Sequence, residues 1–268
     1  MGAAKELNGD GPLAPRERLT YLWRNAWRNL RATSWGKTHR FVPRGITAAD
    51  VNQRSPSRLL TDCFIMSMLP RLFPVNAIDM LEIGCGSGSM MRRLAALGYS
   101  GTYVGVDIGS RFEENHGTSF RARFVQSDAH LYAPPQPINF LFSFSALEHI
   151  ANDEALIARL SPFVRRGGAQ MHVVPAAAGL WIYLWHGYRQ YTAADLEARF
   201  GEDARIYRIG GVGSLLVHFL FITLPEVFTG RSLRRGAPGV YAWIVLGGLT
   251  IDRVLPFFPS ALVVFKQH

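Results

Sequence analysis

Between Arg16 and Arg31, Leu19, Leu22, Trp23, Ala26, Trp27 and Leu30 recur at three- and four-residue spacing, with arginines on the other side. That period predicts a basic amphipathic helix. Residues 1–15 before it are rich in Gly, Pro and Ala, carry no period and read as a loose tail. Ser55 as N-cap and Pro56 at the first helical position announce a second helix over Leu59, Cys63, Phe64 and Leu69. The pattern then alternates: a strand over 77–83, a helix over 90–97, a strand over 102–106, a short strand near Phe124 and Val125, and a strand over 138–144. Asn152 or Asp153 caps a helix with the stripe Leu156, Ile157, Leu160 and Phe163; Gly167-Gly168 stops it before a strand over 170–174. Thr192 and Asp195 form a capping-box pair, opening a helix that ends at Gly201.

Strand–helix alternation of this kind predicts a parallel sheet covered on both faces. Two further strands, 205–209 and 261–265, are separated by an apolar stretch far too long for a hairpin turn. The expected architecture is therefore α/β: a doubly wound, mostly parallel seven-stranded sheet with an N-terminal helical arm and a C-terminal apolar helical insertion. In residue terms, 1–50 hold the tail and basic helix, and 51–268 the main domain, with the insertion at about 213–258. Gly and Pro punctuate that insertion, and neither of its apolar runs reaches about 20 uninterrupted residues, so it is not read as a membrane span.

Composition supports a folded chain, with 48% hydrophobic and 18% charged residues over 268 positions. Only Cys63 and Cys85 are present, and the first eighteen residues hold no long apolar stretch, so neither a disulfide framework nor export is expected. A cytoplasmic location follows as the expectation. The net charge of +9 is concentrated: Arg16, Arg18, Arg24, Arg28, Arg31, Lys37, Arg40 and Arg44 face Glu17 alone. An anionic membrane surface or nucleic acid would suit such a segment, as would a simply solvated face.

The densest chemical signal is Leu81-Glu82-Ile83-Gly84-Cys85-Gly86-Ser87-Gly88, which follows an apolar strand and opens a helix, where open α/β sheets bind ligands. Glycines there let a ligand lie against the backbone. A dinucleotide fingerprint would be G-x-G-x-x-G, but Ser89 stands where its third glycine belongs. Glu82 would repel a pyrophosphate and would attract an ammonium group. Asp107 ends the next strand about 20 residues on, where a carboxylate accepts ribose hydroxyls. A nicotinamide dehydrogenase is correspondingly disfavoured. Cys85 reads as a small turn residue with nothing nearby to lower its pKa.

With these residues the chain resembles the class I S-adenosylmethionine-dependent methyltransferases of the small-molecule type. Their first motif is acidic-x-Gly-x-Gly-x-Gly, matched by Glu82 to Gly88, and their second strand ends in an acidic residue, matched by Asp107. Ser127-Asp128-Ala129 is placed like the family's acidic residue near the adenine, and Ser145-Ala146-Leu147-Glu148-His149-Ile150 follows the fourth strand. The resemblance implies S-adenosylmethionine as cofactor, held by Glu82, Gly84, Cys85, Gly86, Gly88, Asp107, Ile108, Asp128, Ala129 and Ser145. It also implies methyl transfer; no metal ligand is assigned from the residues, and whether a general base or a metal is used stays open.

Methyl transfer is an in-line displacement needing a base only when the acceptor carries a proton. The candidates are His149, His186 and His172; His149 is similarly placed to a catalytic or metal-binding histidine of some quinone-biosynthesis O-methyltransferases, and reads first as a structural histidine near the cofactor. His172, within a strand, reads as a satisfied core residue. The loop after the fifth strand is aromatic, with Trp181, Tyr183, Trp185, Tyr188 and Tyr191, and Arg189 among them. Such a lining suits an apolar or ring-bearing acceptor, with Arg189 meeting an anionic group on it. No Asn-Pro-Pro-Tyr element follows the fourth strand, which weighs against a nucleic-acid base. The expected acceptor is a small molecule, a lipid-linked group or a saccharide, methylated at oxygen. The competing expectation is a membrane- or nucleic-acid-binding module on the same fold. The insertion suits a cover for the active site, a homo-oligomer contact or a membrane contact equally well.

Overall fold

A computed structural model describes residues 7–31, 37–113 and 118–268, and not the side chain of Arg31. The first six residues of the expected tail, and the arginine at position 31 as a side chain of the basic helix, therefore lie outside the described residues. Among the described residues the eight strands are β1 (Thr38–Arg40), β2 (Ala77–Ile83), β3 (Ser100–Asp107), β4 (Phe120–Gln126), β5 (Ile138–Phe144), β6 (Val164–Pro175), β7 (Arg205–Ile209) and β8 (Ala261–Gln267). They form one sheet in the order β1-β7-β8-β6-β5-β2-β3-β4. Neighbours are parallel except β8, which runs antiparallel to both β6 and β7.

Alternation along the strands explains the two faces. On β5, Phe140 and Phe142 join Phe64, Leu69, Met171 and Phe265 on one side, while Leu141 packs with Leu81, Val106, Leu156 and Leu160 on the other. Helices cover both faces: α3 (Pro56–Leu72) and α4 (Ser89–Ala96), then α5 (Asp153–Leu160) and α7 (Ala193–Phe200), with the short α2 (Ala48–Val51) and α6 (Gly179–Ile182) between. The capping residues act as expected. Ser55 Oγ accepts from Arg58 N, Asn152 from Ala155 N, and Thr192 exchanges bonds with Asp195.

Two sequence expectations need correction. The sheet has eight strands because β1 pairs in parallel with β7 and covers what would otherwise be an open edge. Gly167-Gly168 lies inside β6, and α5 ends earlier, in a 3-10 turn over Ser161–Phe163. A Cβ on Gly168 would stand 2.8 Å from the carbonyl oxygens of Arg165 and Asn139, so the glycine serves close strand packing at the register shift between β5 and β6.

The helix α1 (Pro15–Arg31) forms as expected and turns its apolar stripe outward. Trp23 is 71% exposed, and Leu19, Trp27 and Leu30 are exposed with it. The helix is held instead by its polar side: Tyr21 donates to the His186 carbonyl (2.7 Å), Arg28 to Gln190 O (2.7 Å) and Asn29 to Ala177 O (3.1 Å).

The insertion between β7 and β8 is helical, as expected. The α8 helix (Val212–His218) continues through a π-helical turn, Phe219–Thr223, into α9 (Leu224–Thr229); α10 (Leu233–Gly236) and α11 (Pro238–Val254) follow. The Val212–Thr229 run has a mean hydropathy of 1.7 and is, by length and composition, sufficient to cross a membrane, with one third of it buried inside the domain. Val217, Ile222, Tyr241 and Val245 share a core with Val51 and Leu59, so the insertion packs onto α2 and α3. Gly213 and Gly248 let α8 and α11 approach; a Cβ on Gly213 would meet Gly248 O at 2.1 Å.

Candidate active site

The glycine turn leaves β2 at the carboxyl edge of the sheet. Gly84, Gly86 and Gly88 all have positive φ, at 67°, 54° and 79°. Gly84 also packs on Ala146, where a Cβ would sit 2.4 Å from the alanine's own, so glycine is demanded by conformation and by space together. Asp107 anchors this turn: its carboxylate accepts from Gly86 N and Gly109 N, both at 2.8 Å, and so faces the turn across the β2–β3 crevice. Ile108 beside it is exposed. Asp128 is exposed at the end of β4 and accepts from His130 N in a local turn, while Ala129 is half-buried.

Glu82 is placed differently from the ammonium contact read in the sequence. It is buried, its carboxyl receives the Tyr103 hydroxyl at 2.5 Å, and burial pushes its pKa up to about 8. The reason is the period of the strand, which turns Glu82 and Tyr103 to the same inner face. Cys85 is buried as well, and burial raises its thiol to about 12, which suits the turn role expected of it.

Ser145, just past β5, has a φ of 48°, and its N–H bonds Val173 O. Positive φ in a serine is a strained conformation of the kind that collects at functional sites. From there the chain enters the 3-10 turn Leu147–His149. Glu148 is 1% exposed, neither of its oxygens has a hydrogen-bond partner among the described residues, and burial raises its pKa to about 8. Its Oε1 lies 3.9 Å from His149 Nε2 and 3.8 Å from His186 Nε2. The two imidazoles meet edge to face, with centroids 4.5 Å apart.

On the far side of both rings stands Asp10. Its Oδ2 is 2.6 Å from His149 Nδ1 and accepts from Gly187 N at 3.1 Å, and its Oδ1 is 3.4 Å from His186 Nδ1. Residues 7–14 are thus no loose tail. Gly9 N donates to Gly187 O at 2.6 Å, in space so close that a Cβ on Gly9 would lie 2.3 Å from the Trp185 backbone. Burial, then the neighbouring His149, lower the His186 pKa. Asp10, His149 and His186 bring potential ligand atoms within 4.8 Å of one another, a set able to hold a metal ion or to share protons.

The aromatic loop divides. Trp181 is exposed and lines a cavity of about 450 Å³ with Ala26, Leu30, Ala177, Tyr191 and Phe258. Trp185 instead carries the N-terminal arm, donating to Arg18 O with the Arg18 guanidinium over its ring, and Tyr188 lies half-buried with its N–H on Glu148 O. Arg189 does not reach outward to an acceptor. It is buried against Asp153 and the Ala151 carbonyl, and Asp153 also takes Tyr191 Oη at 2.9 Å and Arg199 Nε at 2.8 Å. A buried guanidinium requires such a counter-charge. His172 is a core residue, 2.8 Å from Ser143 Oγ, and burial lowers its pKa to about 3.

Three residues escaped sequence reading. Asp10 gives no signal beyond the turn-like Asn8-Gly9-Asp10-Gly11, Glu148 is visible in its motif as the neighbour of His149 without being assigned to the site, and Arg58, whose guanidinium lies 4.1 Å over the Phe144 ring, belongs to a helix read only for packing.

Comparison with known proteins agrees with this geometry. A model of the methyltransferase domain family matches residues 57–235. A curated ubiquinone biosynthesis O-methyltransferase from Agrobacterium fabrum is 28% identical over 102 residues, 35% of this chain and 40% of that protein, so the match spans less than half of the relative. Among solved structures, a SAM dependent methyltransferase from Archaeoglobus fulgidus superposes with a TM-score of 0.51 at 17% identity, covering 79% of this chain and 95% of that one. The plantazolicin methyltransferase BpumL, in complex with a triazolic desmethylPZN analog and SAH, gives 0.50 at 15% identity over 95% and 100%. The domain match, the eight-stranded sheet and the glycine turn facing Asp107 agree: the chain belongs to the methyltransferase domain family, as a class I S-adenosylmethionine-dependent methyltransferase domain.

Proposed function

We propose that this domain moves the methyl group of S-adenosylmethionine onto an oxygen of a small or lipid-linked acceptor with an apolar body. The observation that carries this reading is the cluster Asp10, His149, His186 and Glu148, beside the Gly84–Ala146 contact and on the same carboxyl edge of the sheet as the apolar cavity. Bound S-adenosylmethionine would lie along the turn, where Gly84, Gly86 and Gly88 leave room for it, with Asp107 to hold the ribose. Ile108, Asp128 and Ala129 would border the adenine, and Ser145 the reacting end. An oxygen lone pair then forms the new O–C bond, the C–S bond breaks with its electron pair left on sulfur, and the hydroxyl proton leaves through the cluster. Supporting an oxygen acceptor are the paired histidines and the name of the Agrobacterium relative. The acceptor's apolar body is supported by the cavity walls, of which Leu30, Trp181 and Phe258 are themselves exposed at its mouth. Those residues and the outward stripe of α1, with Arg16, Arg18 and Arg24 exposed nearby, support a peripheral place on an anionic membrane.

The test combines calorimetry with product mass. S-adenosylmethionine is titrated into the native protein and into Asp107→Ala, where loss of a charged hydrogen-bonding group worth about 1.5–3 kcal/mol predicts affinity lower by about 10- to 100-fold. The protein is then incubated with hydroxyl-bearing acceptors of increasing apolar length, and product is expected as an O-methyl ether or ester. A folded protein that does not bind S-adenosylmethionine, or a product methylated only at nitrogen or carbon, overturns the reading.

A further inference from the structure

We propose that the apolar cavity opens onto the face by which this protein sits on an anionic bilayer, so that the hydrocarbon chain of a membrane lipid enters it directly from the bilayer. On the reading of that cavity as the place of the acceptor's apolar body, the acceptor is itself a bilayer lipid. The volume of about 450 Å³ falls within the range of small-molecule sites. Leu215 and Leu262 belong to its walls, while three of its lining residues, Leu30, Trp181 and Phe258, are 66%, 54% and 58% exposed. The apolar rim is thus turned to the outside together with the mouth. Phe258 is held there at a φ of 58°, a left-handed conformation that a bulky residue adopts only under strain, and strain of that kind collects where a ligand is met.

The rim is continuous with the outer stripe of α1. Leu30 belongs to both, and Trp27, Trp23 and Leu19 precede it at helical spacing, each exposed. Trp23 and Trp27 stack as one plate, with centroids 6.2 Å apart and ring planes 10° from parallel. Exposed tryptophans on a basic amphipathic helix settle where lipid chains meet head groups. Arg16 and Arg24 are exposed on the same helix, and the chain carries a net charge of +9. Pairing this face with a second copy would bring like charges together, whereas anionic head groups complement them. On its polar side α1 holds the loop after β6, through Asn29 on Ala177 O and Tyr21 on His186 O. The same helix therefore meets the bilayer on one side, and on the other fastens both a wall of the cavity and the loop that carries His186.

The experiment uses the full chain, with S-adenosylmethionine and acceptor absent. Vesicles of phosphatidylcholine, alone or with phosphatidylglycerol, carry a tracer phosphatidylcholine with a diazirine at the end of one acyl chain, and crosslinked residues are read by mass spectrometry after illumination. Two arginines near the surface predict binding about 10- to 100-fold tighter to vesicles that contain phosphatidylglycerol. Label is expected on Trp23 and Trp27, and also inside the cavity on Leu215 and Leu262. Ala177→Phe, which fills the cavity, should lower the inner label per bound chain by about tenfold with vesicle binding unchanged. Should that variant not fold, Leu30→Lys at the exposed mouth takes its place, with the same loss of inner label expected. Label confined to the outer stripe or to Phe228 and Trp243, inner label insensitive to both variants, or equal binding to neutral vesicles overturns the proposal. So does a dimer in vesicle-free buffer that Leu30→Lys disperses. Because cofactor and acceptor are absent, failure here leaves methyl transfer to an acceptor taken from water standing, and failure of methyl transfer leaves lipid entry standing.

Discussion

At the scale of single residues, burial decides roles that residue type leaves open. Arg189 lies in an aromatic loop and its charge suggests contact with an acceptor, yet Asp153 holds it from within the fold, while Tyr191 gives its hydroxyl to the same carboxylate and lines the apolar cavity. Glu82 has the right identity and position for its motif, and only the Tyr103 hydroxyl shows which way its carboxyl points. His172 yields a pH prediction. Ser143, Gln170, itself bonded to His268, and the Phe200 ring surround it, and burial holds its folded pKa near 3, below the usual 6.5. The unfolded chain therefore binds the additional proton between those values, and stability associated with neutral His172 is full above pH 6.5 and lost as pH falls toward 3. Urea midpoints measured from pH 7 to pH 4 should fall less steeply in His172→Phe than in the native protein; equal slopes would contradict this account.

At the scale of elements, the helical period of α1 is visible in the sequence, but the side that would be buried is not. An apolar stripe ordinarily faces the core. Here Tyr21, Arg28 and Asn29 find carbonyls on the loop after β6, and Leu19, Trp23, Trp27 and Leu30 are left outside. That arrangement predicts association with a membrane. Native protein should float with vesicles containing anionic lipid, and Trp23→Ser with Trp27→Ser should abolish flotation without changing S-adenosylmethionine affinity. Flotation that persists in the double variant would place the contact elsewhere, for instance on exposed Phe228 and Trp243 of the insertion. The strap at residues 8–11 makes the same point about context: two polar residues and two glycines carry no period, and their order comes from Gly9 and Asp10 meeting Gly187 and the two histidines.

At the scale of the whole molecule, α1, the loop after β6, α8 and the approach to β8 jointly wall the apolar cavity, although these segments are far apart in the chain. If that cavity holds the acceptor's apolar body, Ala177→Phe should raise the acceptor KM at least tenfold with the S-adenosylmethionine dissociation constant unchanged. An unchanged KM would move the acceptor elsewhere. The alternating strands and helices, the glycine turn and Asp107 were determined by the sequence itself. They are written in local periodicity and in positions where backbone conformation or close approach admits only glycine. The β1 edge strand, the outward face of α1, the buried counter-charge of Arg189 and the meeting of Asp10 with His149, His186 and Glu148 were decided only by the tertiary structure. Each depends on which distant groups share a desolvated space, and burial, charge pairing and ligand geometry are properties of that space and not of any stretch of chain.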